Sequence, residues 1–85
     1  MNIQFSSRGW DDYVYWQKID KKIVSRINEL LKDICRNSYE GIGKPEPLKH
    51  ALSGYWSRRI TDEHRLVYRV EGEIVKVAQA RYHYE

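Results

Sequence analysis

The sequence predicts an α+β domain in which two N-terminal helices pack on a twisted, mainly antiparallel sheet of four to five strands. Three observations predict it. Residues after Asp20 carry apolar side chains at three- and four-residue spacing, the mark of an amphipathic helix. Residues after Tyr55 instead alternate in twos and are cut by short polar turns, as antiparallel strands are. The chain's 85 residues allow one compact core, so residues 1–85 read as a single domain.

Asn2 to Phe5 alternates polar and apolar residues and reads as a short first strand. Ser6 or Ser7 caps a helix whose early turns hold Asp11 and Asp12, where the positive end of the dipole favours acids. Trp10, Tyr13 and Val14 share one of its faces. Asp20 breaks the pattern and caps a second helix, whose Ile23, Ile27, Leu30, Leu31 and Ile34 form an apolar stripe that reads as core. Lys22, Arg26, Glu29, Lys32 and Asp33 decorate the other side. The lone cysteine, Cys35, falls on the apolar side and reads as a buried structural thiol.

Between Asn37 and Lys49, Gly41, Gly43, Pro45 and Pro47 exclude a regular helix or a central strand. Strands then follow at Tyr55 to Ile60, His64 to Val70 and Ile74 to Tyr84, joined by Thr61-Asp62-Glu63 and Glu71-Gly72-Glu73 turns. Alternation places Leu66, Tyr68 and Val70 on one side, with Ala78, Ala80 and Tyr82 facing the helices beside them. The opposite side collects Arg65, Arg69, Gln79, Arg81 and His83, joined by Arg59 if the preceding strand pairs in register. His64 should face away from Arg65 and reads as structural, whereas His50 fits either role.

A cationic sheet face is either a solvated surface or a phosphate-binding one, and alternation alone leaves both open. Fifteen basic residues against twelve acidic ones, a formal charge of +3, tilt only mildly toward a polyanionic partner. Glu46 sits between Pro45 and Pro47, which restrict the backbone around it. By itself it reads as an ordinary exposed glutamate in a turn. Combined, a glutamate, a histidine and several arginines supply the base, the acid and the cations that metal-free RNA cleavage through the ribose 2′-hydroxyl requires. Metal chemistry fits less well, because His50, His64 and His83 lack ligand spacing and no CxxC or acidic cluster accompanies them. No cofactor is implied. No elbow motif surrounds Ser53 or Ser57. The N-terminal residues show no basic-then-apolar signal and no segment approaches a membrane span, so a cytoplasmic protein without a membrane partner is expected.

Trp10-Asp11-Asp12-Tyr13, Lys44-Pro45-Glu46-Pro47-Leu48-Lys49, Ser53 through Ile60, His64-Arg65-Leu66-Val67-Tyr68 and Arg81-Tyr82-His83-Tyr84 resemble the YoeB-type toxins of the RelE/ParE superfamily over essentially the whole chain. The resemblance implies a RelE-like fold and cleavage of messenger RNA in the A site of the 70S ribosome. It also implies silencing by a YefM-like antitoxin, with operator DNA bound only through the antitoxin complex. By position it makes Glu46 the general base and His83 the general acid. Arg65 would bind the scissile phosphate, Tyr84 would orient the nucleotide, and Lys49 and Arg59 would support the RNA backbone. Exposed Arg36, Lys44 and Arg58 would touch ribosomal RNA, and Arg81 on the cationic face would join the RNA-binding residues. The family pattern ends at the histidine–tyrosine pair; Glu85 adds a negative charge that would alter how Tyr84 is held.

Tyr84 is free to stack on a base, Tyr82 should face the core, and Trp10, Trp16 and Trp56 read as packing or protein-interface residues, permitting a homodimer. Two rivals remain. One is a ParE-like toxin that acts on DNA gyrase by protein contact and needs no Glu46, His83 and Tyr84 together. The other is a passive RNA-binding module, in which Arg65 matters and His83 does not.

Overall fold

The computed structural model describes residues 1–84; Glu85, and with it the expected effect of its charge on Tyr84, lies outside the described residues. Strand β1 (Asn2–Phe5) leads into helices α1 (Ser7–Ile19) and α2 (Lys21–Arg36), followed by strands β2 (Glu46–Pro47), β3 (Trp56–Arg59), β4 (Arg65–Glu71) and β5 (Ile74–Gln79). A single 3₁₀ turn, His50–Leu52, separates β2 from β3. The five strands form one sheet in the order β1-β5-β4-β3-β2. Strand β1 runs parallel to its neighbour β5 while the other three pairs are antiparallel; the helices and strands between β1 and β5 supply the long connection that a parallel pair requires.

Local chemistry starts both helices. The Ser6 hydroxyl accepts the Gly9 N–H at 3.0 Å, and the Asp20 carboxylate accepts the Lys22 N–H at 3.0 Å. The Asp20 backbone N–H also donates to the Trp16 carbonyl at 2.9 Å, so one residue closes the first helix and opens the second. The apolar stripe of α2 is the core: Ile27, Leu30 and Ile34 are fully buried against Leu66, Tyr68, Val75 and Val77. Complete burial of each such aliphatic side chain contributes about 1.5–3 kcal/mol. Helix α1 lies close on β5, since a Cβ on Gly9 would stand 2.7 Å from the Val77 carbonyl oxygen.

Two expectations about the last strand are corrected. It ends at Gln79, not Tyr84. The Ala80 N–H goes to the Asp12 carboxylate at 3.0 Å and the Ala80 carbonyl accepts the Trp16 indole N–H at 2.8 Å, so helix α1 captures the backbone there. Tyr82 then adopts φ +63° and is 49% exposed, so it does not face the core. The register also shifts at Val67/Tyr68, where Val67 pairs with Gln79 and Tyr68 with Val77. This bulge absorbs Ala78 and leaves Val75, Val77 and Ala80 in the core while Gln79 stays on the side away from the helices. Cys35 is half-buried at the core margin rather than fully enclosed.

Candidate active site

The loop before β2 is bound tightly to the sheet. Gly43 has φ +80°, and a Cβ there would lie 2.7 Å from Leu30 Cδ2. Its carbonyl accepts the Arg59 N–H at 2.7 Å. Pro45 and Pro47 fit because β2 is an edge strand two residues long, with few ladder bonds to lose. Pairing of Glu46 with Ser57 and of Pro47 with Trp56 fixes which way each residue points. Trp56 pairs with core-facing Tyr68, so Ser57 and Glu46 face away from the helices.

That open face is built in two rows. One runs Glu46, Ser57, Val67 and Gln79 across four strands; the next places Arg59 directly opposite Arg65. Like charges at a paired position oppose folding unless an anion or other groups compensate. Arg65 finds compensation in backbone: its Nη1 donates to the carbonyls of Thr61 at 2.7 Å, Asp62 at 3.1 Å and His64 at 3.1 Å. These bonds hold the guanidinium by one nitrogen and keep Nε and Nη2 available as the paired donors that grip a phosphate. Arg65 is buried and Arg59 is exposed.

The C-terminal tail completes the site. The Tyr82 N–H donates to His64 Nδ1 at 2.7 Å, and the Arg65 N–H donates to the Tyr82 carbonyl at 2.9 Å. Beyond this anchor His83 is exposed, its ring 6.2 Å from that of Tyr84. The Tyr84 hydroxyl donates to Glu46 Oε1 at 3.2 Å, joining the chain's end to the opposite edge of the sheet. Burial, then the Glu46 charge and this hydrogen bond, push the Tyr84 phenol above its ordinary value, while Arg65 opposes the shift. Glu46, Lys49, Leu52 and Tyr84 contribute to the wall of a groove of about 460 Å³. The site thus presents a carboxylate with one oxygen engaged, an exposed imidazole, and the paired arginines Arg59 and Arg65.

Glu46, Arg59, Arg65 and Tyr84 therefore share one face, with exposed His83 on the adjoining tail and Lys49 on the groove. Lys44 is exposed at φ +51° in the loop leading to Glu46. One expected RNA contact, Arg58, is corrected, and Arg81 stands off the sheet face where it was expected. Arg58 is fully buried: β3 alternation turns it toward the helices opposite Leu66. There it bonds Asp33 at 2.6 Å, the carbonyls of Asn37 at 2.8 Å, Glu40 at 2.9 Å and Ile42 at 3.1 Å, and the Tyr68 hydroxyl at 3.3 Å. It ties the loop after α2 to the sheet and cannot reach RNA. Arg81 leaves the face because β5 has ended; its guanidinium lies 3.7 Å above the Tyr15 ring and bonds the Tyr82 hydroxyl. Sequence reasoning missed the anchoring roles of Asp12, Trp16 and Gln79, all long-range contacts to tail backbone. It did place His64 as structural, and His64 is buried edge-on against Trp16 with ring centroids 4.8 Å apart. Among the described residues no three His, Cys, Asp or Glu side chains gather to hold a metal ion.

Comparison with known proteins gives a consistent picture. The family of YoeB-like toxins of bacterial type II toxin–antitoxin systems matches residues 5–84. Toxin YoeB of Escherichia coli strain K12 is 61% identical over 99% of this chain and 100% of its own length. Among solved structures, a YoeB dimer from Staphylococcus aureus is 58% identical over 99% of this chain and 98% of that one, at a TM-score of 0.93. The toxin in a heterotetrameric YoeB–YefM toxin–antitoxin complex from the same organism is 58% identical over the same shares, at a TM-score of 0.92.

Proposed function

This chain belongs to the YoeB-like toxins of bacterial type II toxin–antitoxin systems, and from that footing we propose that it is a ribosome-dependent, metal-independent messenger-RNA endoribonuclease. The observation that carries the reading is the convergence of Glu46 and Arg59 with Arg65 and Tyr84 on one sheet face, with exposed His83 on the adjoining tail.

The chemistry follows from the parts. Glu46, through the carboxylate oxygen that Tyr84 leaves open, takes the proton from a ribose 2′-hydroxyl. The 2′-oxygen attacks the adjacent phosphorus, and the bond from phosphorus to the 5′-oxygen breaks. His83 in its protonated form gives its proton to that leaving oxygen. Arg65 neutralises the charge that builds on the non-bridging oxygens, with Arg59 and Lys49 holding the flanking backbone. Tyr84 orients the nucleotide and keeps Glu46 in place. The products are a 2′,3′-cyclic phosphate and a 5′-hydroxyl.

The partners follow the family. The RNA is presented in the A site of the 70S ribosome, in the cytoplasm. A YefM-like antitoxin silences the toxin, and operator DNA is reached only through that complex. A homodimer is consistent with Trp10, which is 52% exposed at the start of α1. No helix among the described residues is long and apolar enough to cross a membrane.

The test is a ribosome programmed with a defined message, with 5′ ends mapped by primer extension and EDTA controls on naked RNA. Cutting within the A-site codon, leaving a 5′-hydroxyl, supports the reading. Growth arrest on expression without any cut refutes it and points to a protein target.

A further inference from the structure

We propose that Gln79 is a positioning residue for RNA cleavage, whose side-chain amide clamps the C-terminal tail so that His83 and Tyr84 come down beside Glu46; the inference rests on the ribonuclease reading above.

The tail needs a clamp. Past Gln79 the tail's described residues form no helix or strand, so no ladder of backbone bonds holds it in place. It also turns through Tyr82 at φ +63°, a conformation unfavourable for a residue with a Cβ, so neighbouring contacts must impose it. Gln79 supplies the contacts on both sides of that turn. Its Nε2 donates to the Arg81 carbonyl at 2.8 Å and to the His83 carbonyl at 2.8 Å, with the Tyr82 carbonyl at 3.5 Å. One amide nitrogen has two hydrogens, and the two short bonds account for both. The Tyr82 carbonyl already receives the Arg65 N–H.

Gln79 is 7% exposed with the tail folded over it, on the side of the sheet away from the helices. In that arrangement both amide hydrogens are bonded to tail carbonyls in a site sheltered from water, where each bond holds the tail more firmly than a solvated one would. The bulge at Val67/Tyr68 makes this possible, because without it Gln79 would point to the helices. His64 holds the Tyr82 N–H from the other side. Between them they fix the backbone from which His83 projects, while neither is assigned a part in the chemistry. A displacement near 1 Å in a catalytic group is enough to slow a reaction on the order of 100-fold.

Gln79→Met keeps the unbranched length and removes both donors; Gln79→Glu keeps the shape and places a carboxylate against the tail carbonyls. Each is compared with the unsubstituted protein by cleavage on programmed ribosomes over a range of toxin concentrations, and by ¹H–¹⁵N heteronuclear NOE. The expected result is a kcat lowered on the order of 10- to 100-fold with KM changed less than about twofold. NOE values should fall in residues 81–84 alone, the remaining amides keeping theirs. A folded variant of either kind with unchanged tail NOE values and unchanged kcat overturns the proposal. A general loss of order across the sheet would overturn it too, making Gln79 a fold-maintaining residue. If the unsubstituted protein cuts no RNA, the ribonuclease reading fails, while the NOE comparison still decides whether Gln79 holds the tail.

Discussion

The Tyr84 hydroxyl donates a hydrogen bond to Glu46 Oε1 at 3.2 Å, linking the end of the chain to a residue 38 positions earlier on the far edge strand. The bond closes the sheet face that carries Arg59 and Arg65 and couples two ionisable groups.

The Tyr84 phenol therefore titrates above its ordinary value of 10.0, because burial, the Glu46 charge and the bond to Glu46 all favour the neutral form. Glu46→Gln removes the charge and should lower the Tyr84 titration. Arg65→Met removes the opposing cation and should raise it further. Ultraviolet difference titration at the tyrosinate band, with Tyr84→Phe to assign the signal, reads both shifts. Equal curves in all three proteins would mean the contact does not persist in solution.

Arg58 is a stability residue and not an RNA contact. Arg58→Met leaves Asp33 and the carbonyls of Asn37, Glu40 and Ile42 without their donor. Removing the one buried donor that serves these acceptors destabilises the fold, most at the enclosed carbonyls. The midpoint of urea unfolding should fall accordingly, and a midpoint equal to that of the unsubstituted protein would contradict the burial.

The same pair makes stability depend on acid. The bond from Arg58 is the main cause holding the Asp33 carboxyl below its ordinary value of 3.8, with the Ile42 N–H adding to it. The unfolded chain then binds the proton more readily than the folded one. Asp33 thus contributes fully above pH 3.8 and loses that contribution as pH falls through its lower folded value. Asp33→Asn should flatten the fall in melting temperature over this acidic range, as calorimetry at successive pH values would show.

Arg59 and Lys49 are exposed and carry no side-chain bond among the described residues. Each phosphate contact contributes about 0.7 to the salt slope of single-stranded RNA binding. Arg59→Met and Lys49→Met should each reduce the slope by about that amount. An unchanged slope for either would remove that residue from the RNA path.

Much of this arrangement was legible in the residues themselves. Asp20 announced the junction of the helices, the Ile27–Ile34 stripe announced the core, and alternation along β4 set Arg65 opposite Leu66. The same alternation in β3 put Arg59 outward and so required Arg58 to point inward. What hid its burial was Asp33, which looked like part of a solvated helix side until the loop after α2 folded over it. The end of β5 was not legible, because Asp12 and Trp16 capture Ala80 from 68 and 64 positions away. Local pattern continues the strand there; tertiary bonding stops it. The roles of Glu46, His83 and Tyr84 came from resemblance, since each alone reads as an ordinary surface residue.

In the proposed reaction Glu46 and His83 perform chemistry rather than binding. Single-turnover cleavage of A-site message by Glu46→Ala and His83→Ala, measured beside their affinity for the programmed ribosome, tests it most directly. General acid and base groups each contribute about 10²- to 10⁴-fold, so both variants should lose cleavage by factors in that range while binding as the unsubstituted toxin does. Variants that cut at the normal rate, or that lose cleavage only in proportion to lost binding, would contradict it.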